Sequence, residues 1–193
     1  MNMTKPDREQ AWELLTRYNQ KESLIAHAIT VEAVMRHFAR RFGEDPDTWG
    51  VIGLIHDLDY ERYPDRHCHK TKEILESEGW PEAYVRAVIS HGYGIVNDVK
   101  PVTLMEKTLF TIDELTGLVA AAALVRPSKS IVDMKPKSVM KKWKDKRFAA
   151  GVNREVIETG CQWLNMELSE VVAETINGMR PVAAETGLAG NTV

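Results

Sequence analysis

Residues 102–125 read VTLMEKTLFTIDELTGLVAAAALV. Leu104, Thr108, Ile112, Leu115, Val119 and Ala122 recur every three or four residues, the period of a helix with one buried face. Arg126-Pro127 ends the run, because proline cannot continue a helix. This is the strongest helical signal in the chain, and it carries one discordant residue. Asp113 sits beside Ile112 and near Leu115, with Phe110 one turn away. Aspartate is a poor helix former, and a charge beside a core stripe needs a partner. Glu114, next to it, reads as surface.

The same period continues on both sides. Asp7 to Tyr18 reads as a short helix with Trp12, Leu14 and Leu15 inward. Ser23 can cap a longer one that runs to about Phe42, with Leu24, Ala28, Val31, Val34, Met35 and Phe38 on its apolar side and Gly43 as its stop. Asp45-Pro46 opens a helix through Ile55, in which Gly50 and Gly53 point to close packing on a neighbour. A polar loop covers Asp59 to Asp65. A helix from about Arg66 to Glu78 ends at Gly79, and Pro81 starts another that ends at His91-Gly92. Asn153 can cap a helix over Arg154 to Leu164, and Leu168 to Ile176 reads as a last one. No strand, repeat or linker is legible. The expected fold is all-α, a single domain over residues 1–180, with C-terminal helices at about 153–178 and residues 181–193 as a flexible tail of small and polar residues.

The bulk numbers narrow the function. With 193 residues, 44% of them hydrophobic, the chain can bury a core without disulfide or zinc staples. Cys68 and Cys161 form no CxxC pair and are expected as reduced thiols in a cytoplasmic protein. The N-terminal MNMTKPDREQ lacks the apolar core of a signal peptide, and no apolar run approaches the roughly 20 residues that span a bilayer. No membrane partner is expected, and the net charge of -3 predicts no bulk attraction to nucleic acid. Charge is nonetheless uneven. Arg126 to Arg147 holds nine Lys or Arg against two Asp, a local +7 that leaves -10 for the rest.

All six histidines fall between residues 27 and 91. His56-Asp57 ends the apolar stretch VIGLIHDLDY, and His27 lies in LIAHAITV. Buried ionisable groups are costly unless they are hydrogen-bonded or bound to a cation. A cation held between three helices accounts for His27, His56-Asp57 and Asp113 together. The alternative for His56 is a helix C-terminal imidazole interacting with the dipole, with Asp57 solvated.

The order His27, His56-Asp57, Asp113 resembles the H…HD…D signature of HD-superfamily metal-dependent phosphohydrolases. HCHKTKEIL, from His67, is similar to the segment where that superfamily often has a His followed by GAELL, with Thr71 and Lys72 in place of Gly-Ala. SHGYG resembles the next ligand-bearing helix end, with His91 in the ligand place. DELTGLV and VRPSKS look like marks of a distinct subfamily and bring no substrate with them. The resemblance covers roughly His27 to Val125. It implies an orthogonal helical bundle with a metal-site core at about 22–125 and one or two divalent transition ions: Mn, Fe, Co, Ni or Zn.

The first ion would be held by His27, His56, Asp57 and Asp113. His67 and His91 match the further ligands of two-metal members, with Asp57 bridging, although His69 competes with His67. His37 is about 80° off the face of His27 and reads as structural. Cys68, without a partner cysteine at suitable spacing, is not read as a zinc ligand. Asp57 can hold the metal and orient water, and Asp59 and Glu61 are the candidates for a general acid, with a solvated loop as the bland reading. Arg126, Lys129 and Ser130, in the basic segment 126–147, are the candidate phosphate clamp. A solvated basic face is the alternative. The expected activity is hydrolysis of a phosphoester in a nucleotide or other small phosphorylated metabolite. A di-iron oxygenase and a non-catalytic nucleotide- or nucleic-acid-binding module are the alternatives, and a homo-oligomer is left open.

Overall fold

The computed structural model describes residues 5–190. The fold is all-α. In chain order the helices are α1 (Arg8–Tyr18), α2 (Glu22–Phe42), α3 (Pro46–Ile55), α4 (His69–Ser77), α5 (Glu82–Ile89), α6 (Leu104–Leu124), α7 (Pro136–Trp143), α8 (Arg154–Leu164) and α9 (Leu168–Met179). No strand forms among the described residues; one isolated bridge joins Tyr93 and Asn97. No described helix is long and apolar enough to cross a membrane.

The helix ends follow the local sequence. Asp7 caps α1 through a reciprocal box with Gln10, and Thr103 does the same for α6 with Glu106. Asp45 and Pro46 begin α3, and Asn153 begins α8, as their residue types predict. Gly43 ends α2 at φ 74°, a left-handed turn that costs glycine nothing. Ser23 is not a cap. The helix begins one residue earlier, after Lys21, which offers no side-chain acceptor.

α2 is the centre of the bundle and packs against α3, α6 and α9. Val31, Val34, Met35 and Phe38 on α2 are fully buried with Ile52, Leu54 and Ile55 on α3 and Ile112 and Leu115 on α6. The α2–α3 contact is close because residue 53 is glycine: a Cβ there would stand 3.0 Å from the Val31 carbonyl oxygen. That closeness sets His56, one residue past α3, against the His27 turn of α2.

The basic segment is anchored by its apolar residues. Ile131, Met134 and Val139 are buried, so the lysines around them point outward. The C-terminal residues correct the expectation of a flexible tail. Residues 180–182 form a 3-10 turn, Ala183 and Leu188 are buried, and the Ile131 amide donates to the Leu188 carbonyl at 2.9 Å. A segment of small residues needs only two apolar anchors and a backbone pairing to be held. Residues 191–193 of that expected tail lie outside the described residues.

Candidate metal centre

Five segments bring the histidines and aspartates together. His27 comes from the second turn of α2, His56 and Asp57 from the end of α3, and Asp113 from the middle of α6. His67 precedes α4 and His91 lies in the 3-10 turn Ser90–Gly92 that follows α5. They line a cavity of about 430 Å³, completed by Tyr60, Ile95, Val96, Glu114 and Val152 among others; His56 is fully buried behind it.

The donor atoms form two groups. His27 Nε2 stands 3.2 Å from His56 Nε2 and 3.0 Å from Asp113 Oδ1. Asp57 Oδ2 lies 3.5 Å from His56 Nε2 and 3.7 Å from His27 Nε2. In the second group His67 Nε2 and His91 Nε2 are 3.0 Å apart, and each is 3.5 Å from Asp57 Oδ1. The two oxygens of Asp57 therefore face different groups. Ligand atoms about 2.0–2.3 Å from a shared ion stand roughly 3–3.7 Å apart at octahedral to tetrahedral angles. Both groups fall in that interval, and both could hold a metal ion.

The tautomers suit that use. The Nδ1–H of His56 donates to the Gly53 carbonyl at 2.8 Å and that of His91 to the Val88 carbonyl at 2.6 Å. Carbonyl oxygens only accept, so each neutral ring presents a lone pair on Nε2. His67 Nδ1–H donates to Asp59 Oδ1 at 2.8 Å with the same result. His69 turns away and donates to the Val96 carbonyl, so the competition with His67 falls to His67. His37 pairs with Glu174 on α9, in keeping with a structural role.

Three lone pairs converging beside two carboxylates demand positive charge. Burial opposes protonation of His56, but Asp57 and Asp113 outweigh it and hold the imidazole up at about 10. Burial also opposes charge on the two aspartates, yet His56 and its neighbours keep both well below the usual carboxylate range. Without an ion the cluster recruits protons; with one, the same lone pairs are ligands.

Neither Asp59 nor Glu61, the expected acids, is among the residues lining the cavity, and backbone amides engage both. Asp59 is fully buried and accepts from His67 Nδ1 and, at 2.8 Å, from the Thr71 amide in the first turn of α4. It positions a ring rather than reaching the cavity. Glu61 accepts from the amides of Gln20 and Lys21 at 2.7 and 3.0 Å, just before α2, and does not line the cavity. With the Asn19 side chain donating to the Leu58 carbonyl at 2.9 Å, this stitches the loop after His56-Asp57 to the α1–α2 connection.

The residues of the expected phosphate clamp also stand away from the cavity. Arg126, Lys129 and Ser130 do not line the cavity. Asp133 holds the Arg126 guanidinium through two bonds of 2.8 Å, and the Ser130 carbonyl accepts a third. Ser130 is buried, its hydroxyl accepting from the Val132 amide. The turn at Pro127 folds the segment onto Asp133 and the C-terminal residues instead of back over the metal groups.

Two residues at the site were set aside in the sequence reading. Glu114, read as surface, lines the cavity, where its carboxylate accepts from the Asn153 amide at 2.9 Å and burial pushes its pKa up. Cys68 is buried with Sγ 3.8 Å from His91 Nε2. Burial raises its thiol, but His91 and His67 bring it down to about 6. Its place directly after His67 was the available signal.

Among known proteins, neither the curated chains nor the solved structures gave a match. Residues 24–118 match the family model of the HD domain, a span that contains all six candidate ligands. Over residues 24–118 the chain carries an HD domain.

Proposed function

We propose that the chain is a metal-dependent phosphohydrolase that cleaves a phosphoester in a nucleotide or other small phosphorylated metabolite with an activated water. The observation that carries this is the aspartate facing two ways: Asp57 offers Oδ2 to His27 and His56 and Oδ1 to His67 and His91. His27, His56, Asp57 and Asp113 would hold one divalent ion, and His67, His91 and Asp57 a second. Ions so held lower the pKa of water and polarise a phosphoryl oxygen.

The residues of the chain supply the rest. The backbone acceptors behind His56 and His91, and Asp59 behind His67, fix the rings so that little reorganisation accompanies reaction. Glu114 is the carboxyl group nearest in sequence to the ligands that also faces the cavity, and it is placed to exchange a proton or hydrogen bond with substrate. Among the described residues no Lys or Arg lines the cavity, so a phosphate would be met by the ions themselves. That same lack of a side-chain cation favours a second reading, oxidation of a substrate at a di-iron centre. Cytoplasmic location fits either.

The test is a phosphoester screen. Metal-stripped protein is reloaded in turn with Mn, Fe, Co, Ni and Zn and assayed against phosphomonoesters and nucleotides. Metal-dependent release of phosphate supports hydrolysis. Oxygen uptake by the iron form without phosphate release would replace it with oxygenation. Salt-sensitive nucleotide binding with no turnover under any metal would leave a binding module.

A further inference from the structure

The second metal group contains a donor that the proposed reaction leaves unused. Cys68 is 2% exposed and directly follows His67 in sequence. The ligand atoms of His67, Cys68 and His91 all lie within 4.8 Å of one another. His91 is itself almost fully buried, and its Nδ1–H is committed to Val88. Its Nε2 lone pair then meets the Nε2 lone pair of His67 at 3.0 Å and the Cys68 sulfur at 3.8 Å. Neutral rings in this arrangement place no hydrogen between the nitrogens. A buried lone pair aimed at another lone pair and a sulfur is a site for a cation.

The spacing suits a thiolate ligand. A sulfur about 2.3 Å and an imidazole nitrogen about 2.0–2.1 Å from one zinc-sized ion stand roughly 3.6 Å apart at a tetrahedral angle, close to the observed 3.8 Å. The backbone holds the sulfur there. Cys68 adopts φ 64°, outside the usual range for a residue with a side chain. Its sulfur fills a notch that exists because residue 92 is glycine: a Cβ on Gly92 would fall 2.7 Å from Sγ.

We infer that Cys68 is a thiolate ligand of the second ion, so that Cys68, His67, His91 and Asp57 together form a site selective for zinc, iron or cobalt over manganese or magnesium. The inference rests on the two-ion reading proposed above. When the ion binds, the Sγ–H bond breaks, its proton leaves to solvent and its electron pair forms the sulfur–metal bond. A soft donor favours soft and borderline ions, whereas the group of His27, His56, Asp57 and Asp113 carries only nitrogen and oxygen. The two positions would therefore differ in metal preference.

Cobalt titration of the metal-free full chain tests this through absorbance alone. The first group gives weak visible bands only; filling the second should add an intense near-ultraviolet band from thiolate-to-cobalt charge transfer. The band should vanish in Cys68→Ser and persist in Cys161→Ser. Zinc affinity of the second position should fall about 10–100-fold in Cys68→Ser, the scale on which metal-site partners act, while manganese affinity changes little. Zinc X-ray absorption on the unmodified protein needs no variant: one sulfur shared over two zincs, at about 2.3 Å, is expected. Two bound cobalts without the charge-transfer band, or a zinc shell of nitrogen and oxygen alone, would overturn the assignment and leave the two-ion reading standing. Binding of a single ion, or none, would remove that reading together with this one.

Discussion

Asp59→Asn tests the support behind the second metal group. The Asp59 carboxylate is fully buried and accepts two hydrogen bonds of 2.8 Å, from His67 Nδ1 and the Thr71 amide. An amide of the same shape has one carbonyl oxygen. It can satisfy one of those donors and must turn its amide nitrogen toward the other, at about 1–3 kcal/mol for the buried clash of donors. Losing the anion behind His67 should also weaken one ion, and one only, by about 10–100-fold, or roughly 1.4–2.7 kcal/mol.

The metal-free protein adds a signature in pH. Burial works against the charged His67 ring, but the hydrogen bond to Asp59, joined by Cys68 and Asp57, outweighs it and raises the folded-state pKa to about 9, against 6.5 for the free side chain. A raised pKa means that this contribution to stability is complete below about pH 6.5 and is lost as the pH climbs through about 9. The variant lacks the Asp59 anion. The stability gap between the unmodified protein and Asp59→Asn should therefore be largest near pH 6 and narrow toward pH 9. Urea unfolding followed by helical circular dichroism reads the gap, and chelator competition reads the two metal affinities. Unaltered affinity for both ions, with a gap independent of pH, would refute the claim that Asp59 orients a ligand.

Asp57→Ala should abolish binding of both ions at once, since each carboxylate oxygen faces a different group, while the far-ultraviolet spectrum stays helical; retention of one ion with native affinity would contradict the bridging geometry. Gly53→Ala should destabilise by about 1–3 kcal/mol in urea unfolding, because its Cβ would press on the Val31 carbonyl and the Glu32 Cα at 3.0 and 3.2 Å. Lys129→Ala should leave KM for a phosphorylated substrate unchanged, since Lys129 does not line the cavity; a rise in KM would restore the basic segment to the site.

Much of this was legible because it is local. Helical period, the Asp-Pro and Asn153 starts, and glycine stops placed the elements within a residue or two along most of the chain. Asp113 stood out because a charge inside an apolar helix violates a local rule, and such violations mark sites. Asp59 and Glu61 gave no comparable signal. Both sit in a polar loop, and their partners lie in segments that approach only in the fold: α4 turning back on the loop and the α1–α2 connection crossing it. Glu114 looked like surface because the loop that shields it begins almost forty positions later, at the Asn153 amide. Arg126 was misjudged for the converse reason. A guanidinium near a helix end looks available until Asp133, seven residues on, is seen to hold it through both carboxylate oxygens.

The stitch between the loop after His56-Asp57 and the start of α2 bears on how an ion would be acquired. Glu61 and Asn19 tie together the two segments that deliver His27 and His56, and they do so with protein hydrogen bonds alone. In small zinc modules the energy of metal binding goes into folding the chain around the ion. Here the segments that carry His27 and His56 are joined by hydrogen bonds between protein groups and packed on the apolar core, so little of that energy should be needed for folding. Stripping the metal should therefore yield a folded apoprotein that reloads rapidly and reversibly, and whose hold on the ion reports ligand chemistry rather than folding.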